Sequence, residues 1–451
     1  ISSSAVAVSF SAVGLLESVL ITGFLLFLGA MAGSIGAAVV ALNHADVGSM
    51  QQLITHPVVK DKLAMLPAFD LSNEHSRDLL ITLFIIPLAV QWWSVWYPGA
   101  EPGGGGYIAQ RMLAAKDEKH ATGATLFFNA AHYALRPWPR VIVAWASMVV
   151  VPTLESLQAA FPNIDPAQVK NDLAYPAMLT FLPHGLLGLV VASLAAAYMS
   201  TISTHLNWGS SYVVNDFYQR FLRPDAEQKE LVRVGRISTV VMMAIAALLA
   251  TTVLENAKQG FDILLQVGAG TGLLFILRWF WWRINAYSEI VAMIVSFLVA
   301  AVFAIAPMAG WTQVADLPGW QKLCYGIAIT TVAWIVATLV TPSDKDETLQ
   351  SFYRKIRPGG PGWNKVIRDA QAQGIELGTA KDGANIGLGI ACMIAGSLTI
   401  YSALFSTGYW LYGKPVQATV LAVVALVATG FIVVNWNKLD ADAPAADIVE
   451  Q

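Results

Sequence analysis

Residues 182–218 read LPHGLLGLVVASLAAAYMSTISTHLNWGSSYVVNDFY. No charged residue occurs between Gly185 and Thr204, and a bilayer core of about 30 Å needs about 20 such residues of helix. The stretch therefore predicts a membrane span near 184–214. Within it Ala197, Ser200 and Thr201 stand at i, i+3 and i+4, on one helix face. Two hydroxyls and a helix carbonyl converge there. Neutral oxygens suit a hard monovalent cation such as sodium. The same residue types also permit close helix packing or bond back to the preceding turn, and the helix alone leaves both readings open.

Outward from this run the pattern repeats. Apolar stretches bounded by charge or turn residues lie near 11–42, 79–115 (interrupted), 122–152, 184–214, 232–254, 261–284, 286–307, 321–341, 387–410 and 415–436. The chain is 56% hydrophobic and 13% charged, against roughly 25% charged in an ordinary soluble domain. The expected class is an all-α polytopic membrane protein. A net charge of -3 without a basic, aromatic-interleaved stripe argues against a nucleic-acid partner. Cys324 and Cys392 each sit in an apolar run, so no disulfide framework or CxxC site is available.

Lys and Arg collect on the cytoplasmic side of membrane proteins. With the N-terminus inside, eighteen of the 27 basic residues fall in inner loops and helix ends and seven in outer segments, with Arg136 and Arg140 inside the third span. Ten spans and a cytoplasmic C-terminus satisfy this asymmetry. The polar segment 342–386, with its RPGGPGW knot at 357–363, reads as a cytoplasmic linker structured only in part. The outer segments 43–78 and 153–183 are expected to carry short surface helices. The chain opens on Ile1 with an apolar stretch close behind, and reads as beginning inside or just before a membrane helix.

The second span, PLAVQWWSVWYPGAEPGGGGYIAQRM at 87–112, cannot be one continuous helix. Pro98, Pro102, Glu101 and the glycines around them interrupt it. Backbone freed at membrane depth must be satisfied by protein or a water-filled cavity, and broken helices mark ligand sites in transporters. Alternatively 79–98 spans alone and 99–106 is a turn. Gln91, Trp92 and Trp93, with Trp96 and Tyr97, offer an amide and aromatic wall for a polar solute, although aromatics at a membrane end also serve as interface anchors. The tetraglycine run lacks the GK[ST] context of a phosphate loop.

Three stretches, AAAYMSTISTHLNWGSSYVVNDFYQRF, GGGGYIAQRMLAAK with YALRPWP, and DILLQVGAGTGLLFILRWFWWRIN, resemble the sodium:solute symporter family, which includes sodium/glucose and sodium/proline carriers. Together they cover roughly 90–290. The resemblance implies a five-plus-five inverted-repeat transporter fold lacking most of its first repeat, plus trailing helices. Its parts are 1–42 as the fifth core helix, 43–78 as an extracytoplasmic loop and 79–284 as the second repeat (core helices six to ten). Residues 285–341 are trailing helices, 342–386 the linker, 387–436 C-terminal helices and 437–451 a cytoplasmic tail. An extra N-terminal helix and core helices one to four are then expected upstream of Ile1.

The resemblance assigns Ala197, Ser200 and Thr201 to the eighth-helix half of the sodium site, and Gln266 to the position from which sugar-carrying members present a Gln to solute. A Gln bonding across a helix interface remains the other reading of Gln266. Many members carry Thr-Asp and a following Gln in the fifth core helix. This chain reads Thr22, Gly23 and Leu26, so a second ion served by that carboxylate is not expected.

The implied activity is sodium-coupled symport of a small polar organic solute (a sugar, polyol, amino acid or carboxylate) across the inner, or plasma, membrane by alternating access. The rival is a solute sensor that keeps the fold without net transport, but the tail after Asn437 is short for an output domain. No HExxH, Cys–His set or buried carboxylate pair points to an enzyme. Arg136 and Arg140 are expected to reach inner carbonyls or the interface, with Asn129 and His132 making a packed polar contact one turn earlier. Asp262 and Glu289, near span ends, are expected to be solvated.

Overall fold

The computed structural model describes residues 16–90, 112, 115–252, 257–307, 309–377 and 386–439. Among them the regular structure is helical throughout. Six helices are long and apolar enough to cross a membrane, and two bent helix pairs become eight spans if each pair counts as one. A shorter apolar helix, Phe27–Leu42, lies in the first expected run, and the 79–115 run falls partly outside the described residues.

The chain forms two compact units. The first comprises residues 1–65, 127–256 and 403–421. Its frame is α1 (Leu16–Leu42), α3 (Pro137–Val150) and α4 (His184–Ser211). The helix α2 (Glu118–Asn129) feeds α3 through a π-helical turn over Ala130–Leu135. Small residues let these helices close on one another: a Cβ on Gly33 would come within 2.8 Å of Val190 Cγ2, and one on Gly36 within 2.7 Å of Leu186 Cδ2. Such close approach suits membrane interfaces, where packing replaces the hydrophobic effect as the driving force. Buried Ala37, Ala38, Val143, Ala146 and Trp145 fill the centre. Trp138 donates its indole N–H to the Leu404 carbonyl at 3.1 Å and meets Tyr412 edge-on at 6.0 Å. Beyond Ser211, α4 continues with π-helical winding through Tyr212–Leu222, longer than its sequence run predicts. Then α5 (Gln228–Thr252) returns along it, tied by Tyr218 Oη to Glu230 at 2.5 Å.

The second unit comprises residues 66–126, 257–402 and 422–451. The apolar run 261–284, read as one span, is broken. The helices α6 (Ala257–Val267) and α7 (Thr271–Leu277) meet at a 49° bend. Gly270, at φ +85°, forms the corner, and a Cβ there would lie 2.7 Å from Thr330 Cβ and 3.0 Å from the Ile327 carbonyl oxygen. Left-handed backbone and close approach both demand glycine. The freed Gly270 carbonyl accepts the Trp334 indole N–H at 3.2 Å.

Next, α8 (Ala286–Ile305) and α9 (Gly319–Val340) pack antiparallel. Ser288 and Thr338, both fully buried, share a 2.7 Å hydrogen bond, and Thr338 also donates to the Trp334 carbonyl. Asn285 caps α8 and reaches Thr341 Oγ1 at 3.0 Å.

Within the 342–386 segment, the described residues 342–377 carry two helices and a small core of their own. Amphipathic α10 (Asp346–Ile356) and α11 (Asn364–Ala372) bury Leu349, Tyr353, Trp363, Val366 and Ile367 against one another. Arg357 and Gly360, both at positive φ, turn the chain between them, and Trp363 donates to the Trp279 carbonyl at 3.0 Å. The last two helices are α12 (Ile386–Leu411) and α13 (Pro415–Leu439). Exposed Val420, Leu426, Val427 and Val434 on α13 mark a lipid-facing surface.

Candidate functional site

The helix α4 begins after Pro183, whose extended backbone precedes the first turn. Four residues apart, Ala197 and Thr201 share one helix stripe, and both are exposed among the described residues. Ser200 lies on the same helix; its side chain is outside what the structure describes. Hydroxyls in a helix ordinarily bond back to the carbonyl one turn earlier. Thr122, Thr125, Thr239 and Thr251 do so at 2.9 Å. Among the described residues the Thr201 hydroxyl makes no such bond, while its backbone carbonyl is met by His205 Nδ1 at 2.8 Å. That contact requires the tautomer with the proton on Nδ1.

Gln266 belongs to the second unit, near the end of α6. Its Oε1 is buried without a hydrogen-bond partner and lies against α9, where a Cβ on Gly326 would sit 3.5 Å from it. An unfilled buried acceptor carries a desolvation cost of about 1–3 kcal/mol, which is tolerable where a ligand or water supplies the donor. Thr330 and Thr331 of α9 also have buried hydroxyls without a partner among the described residues. Gln91, Trp92 and Trp93 lie outside the described residues, as do Trp96, Tyr97 and Glu101.

The structure gives three of the ionisable residues singled out in the sequence specific neighbours. Arg136 reaches no carbonyl among the described residues. Its guanidinium donates to His132 Nδ1 at 3.0 Å, with His132 stacked on Phe128 at 5.2 Å. Four residues apart, the two arginines have different surroundings: Arg136 is half-buried and Arg140 exposed. Arg140 instead lines a cavity of ≈ 270 Å³ within the first unit. Glu289, 34% exposed, pairs with Arg278 at 3.0 Å.

The cavity is bounded by Ala30, Gly33 and Ser34 of α1, by Arg140 of α3, by Val190, Ser193 and Leu194 of α4, and by Tyr175 of the short helix Ala174–Leu179. Sequence reasoning missed it because its walls come from four separate segments. One signal was present: an arginine inside an apolar run expected to span the membrane, a placement that raises a functional hypothesis.

With this geometry in view, the chain matches the Sodium:solute symporter family over residues 9–296. It belongs to that family. Among symporters it is similar to the sodium/glucose cotransporter of Vibrio parahaemolyticus, 29% identical over 249 residues that cover 53% of this chain and 44% of the relative. It is also similar to the sodium/proline symporter of Haemophilus influenzae, 31% identical over 201 residues (42% of this chain, 36% of the relative). The human sodium/myo-inositol cotransporter 2 is 32% identical over 192 residues (40% and 27%). The aligned segments thus span less than half the length of each of these curated relatives. All are transporters rather than enzymes, and the apolar helices make this chain a multi-pass membrane protein.

Proposed function

We propose that the full-length protein is a sodium-coupled symporter of a small polar organic solute, working by alternating access in the plasma membrane with its C-terminus in the cytoplasm. The observation that carries this reading is the α4 face of Ala197 and Thr201, exposed on a helix inside the matched family region, with a threonine hydroxyl that returns to no carbonyl among the described residues. The names of the relatives, which pair sodium with glucose, proline or myo-inositol, support both the ion and the solute class.

In this mechanism sodium enters from outside and is held by the Ala197 carbonyl and the Ser200 and Thr201 hydroxyls, joined by oxygens from elsewhere in the protein. A filled site favours the arrangement of broken helices that binds solute, with Gln266 and the wall of Gln91, Trp92 and Trp93 as solute contacts. Uptake is driven only if each ligand raises the other's affinity by the same factor. One inward positive charge contributes about 2.3 kcal/mol per 100 mV of potential. No covalent step is involved.

The test is sodium-gradient-driven uptake by full-length protein in proteoliposomes, screened across sugars, polyols, amino acids and carboxylates, with Ser200→Ala and Thr201→Ala alongside. Uptake that depends on sodium and falls steeply in both variants is expected. Uptake indifferent to sodium and to both substitutions would overturn the proposal.

A further inference from the structure

The four polar side chains that line the α1–α3–α4 cavity have a property in common. Among the described residues Arg140, Tyr175, Ser34 and Ser193 make no hydrogen bond or ion pair with protein. Several hydroxyls elsewhere in the membrane helices are satisfied locally: Ser238 bonds to the Val234 carbonyl, Thr407 to Ala403 and Thr429 to Ala425, each within 2.9 Å. The neighbouring Arg136 is likewise engaged, by His132. The cavity therefore gathers a guanidinium and three hydroxyls without a local partner, and no carboxylate is among its lining residues.

Ser34, at 7% exposed, lies at the buried end of the cavity, which opens to the surface on the side of the exposed Arg140 and Leu194. The remaining walls, Ala30, Gly33, Val190 and Leu194, are apolar and small-to-medium. At ≈ 270 Å³ the space falls just short of the about 300–1,000 Å³ of pockets for drug-sized ligands, which fits a compact organic molecule.

We propose that this cavity is a recognition site for an organic carboxylate, with Arg140 as its charge partner and Tyr175, Ser34 and Ser193 as hydrogen-bond donors. A planar guanidinium meets a carboxylate through two parallel N–H···O bonds, a geometry that neither a lysine nor a hydroxyl reproduces. Three hydroxyl donors satisfy the remaining lone pairs, and the apolar wall of Val190 and Leu194 takes the carbon skeleton. Ser193 stands one turn before Ala197 on α4, so an anion in the cavity and a cation on the Ala197–Thr201 face bind the same helix. The site thus narrows the solute class to carboxylates, and this step rests on the symporter reading.

The test uses purified full-length protein in detergent with Cys324→Ala and Cys392→Ala, so that Leu194→Cys is the only thiol introduced into the cavity wall. Its modification by a water-soluble maleimide is timed in the presence of lactate, gluconate or nicotinate, of glucose or myo-inositol, and of chloride alone. At least one carboxylate is expected to slow labelling about tenfold or more at saturation, with glucose and myo-inositol inert. Arg140→Gln is expected to weaken that protection by about 10- to 100-fold, the range for a hydrogen bond to a charged group, and Arg140→Lys to retain part of it.

Protection by the neutral solutes to the same degree, by chloride alone, or undiminished in Arg140→Gln would overturn the proposal. So would a thiol that reacts only after denaturation, which would mean that another part of the protein fills the space. Sodium-driven uptake of a neutral sugar, unaltered by Arg140→Gln, with no carboxylate protection would sink this inference and leave the symporter reading standing. Carboxylate protection without sodium-driven uptake would do the reverse.

Discussion

Two parts of the molecule use the same residue types to opposite ends. Where α8 meets α9, Ser288 and Thr338 are fully buried, bonded to each other at 2.7 Å, and Thr338 is bonded again to its own helix. On α4, Ala197 and Thr201 are exposed, and the Thr201 hydroxyl has no partner among the described residues. Small and hydroxyl residues in a membrane helix are glue when a second helix covers them and saturates their donors. Left uncovered, their oxygens are open to a ligand, the role proposed for the α4 face. Sequence spacing does not separate these cases; coverage does.

Substituting across this contrast should change function at one place and stability at the other. The largest effect is expected at the uncovered face. If Thr201 holds sodium as proposed, Thr201→Ala should shift the sodium dependence of solute binding by about 10- to 100-fold while thermal stability stays near wild type. Scintillation-based solute binding over a sodium titration reads this directly. An equal loss of thermal stability would show that Thr201 is packing after all.

Next comes the α1–α4 contact. Gly36→Leu drives a branched side chain into Leu186, already 2.7 Å from a mere Cβ, and should destabilise by about 1–3 kcal/mol. A lowered midpoint in a thermal melt of the detergent-solubilised protein checks it. An unchanged midpoint would show that α1 is not seated on α4 as described. At the covered face, Thr338→Val should cost no more than about 1.7 kcal/mol, the upper end for interhelical hydrogen bonds in membranes. Solute binding should be unchanged, measured by the same melt and binding assay.

The smallest effect belongs to Asp117, outside the membrane segments. The His120 backbone N–H at 2.8 Å, followed by the His120 side chain, holds its carboxyl below the usual value of 3.8. A lowered folded-state pKa means that the contribution is present above the unfolded value and fades as pH falls through the folded one. Asp117→Ala should therefore loosen the first turn of α2 slightly at neutral pH. That difference should vanish in acid, below the usual carboxylate value, as followed by amide exchange over residues 118–121.

How much of this was legible in advance depended on how local the cause was. The helix α4 was readable because an uncharged run of that length has few alternatives. The face of Ala197, Ser200 and Thr201 was readable as geometry, but not as an open face, since openness depends on which other segments pack nearby. The break at Gly270 was missed because glycine in a helix costs only about 1 kcal/mol. What forces the corner is Thr330 and Ile327, some sixty residues away along the chain. The packing within residues 346–372 left a signal in the spacing of Leu349 with Tyr353 and of Val366 with Ala370, which composition alone hides. The arginines were conspicuous, yet their different surroundings follow from tertiary contacts alone: His132 for one, a four-segment cavity for the other.

Equilibrium binding of radiolabelled sodium to the purified full-length protein, wild type beside Thr201→Ala, meets the central claim most directly. The account predicts saturable binding in the wild type that is strengthened by a transported solute and weakened by an order of magnitude or more in the variant. Sodium binding of equal strength in both proteins would contradict it.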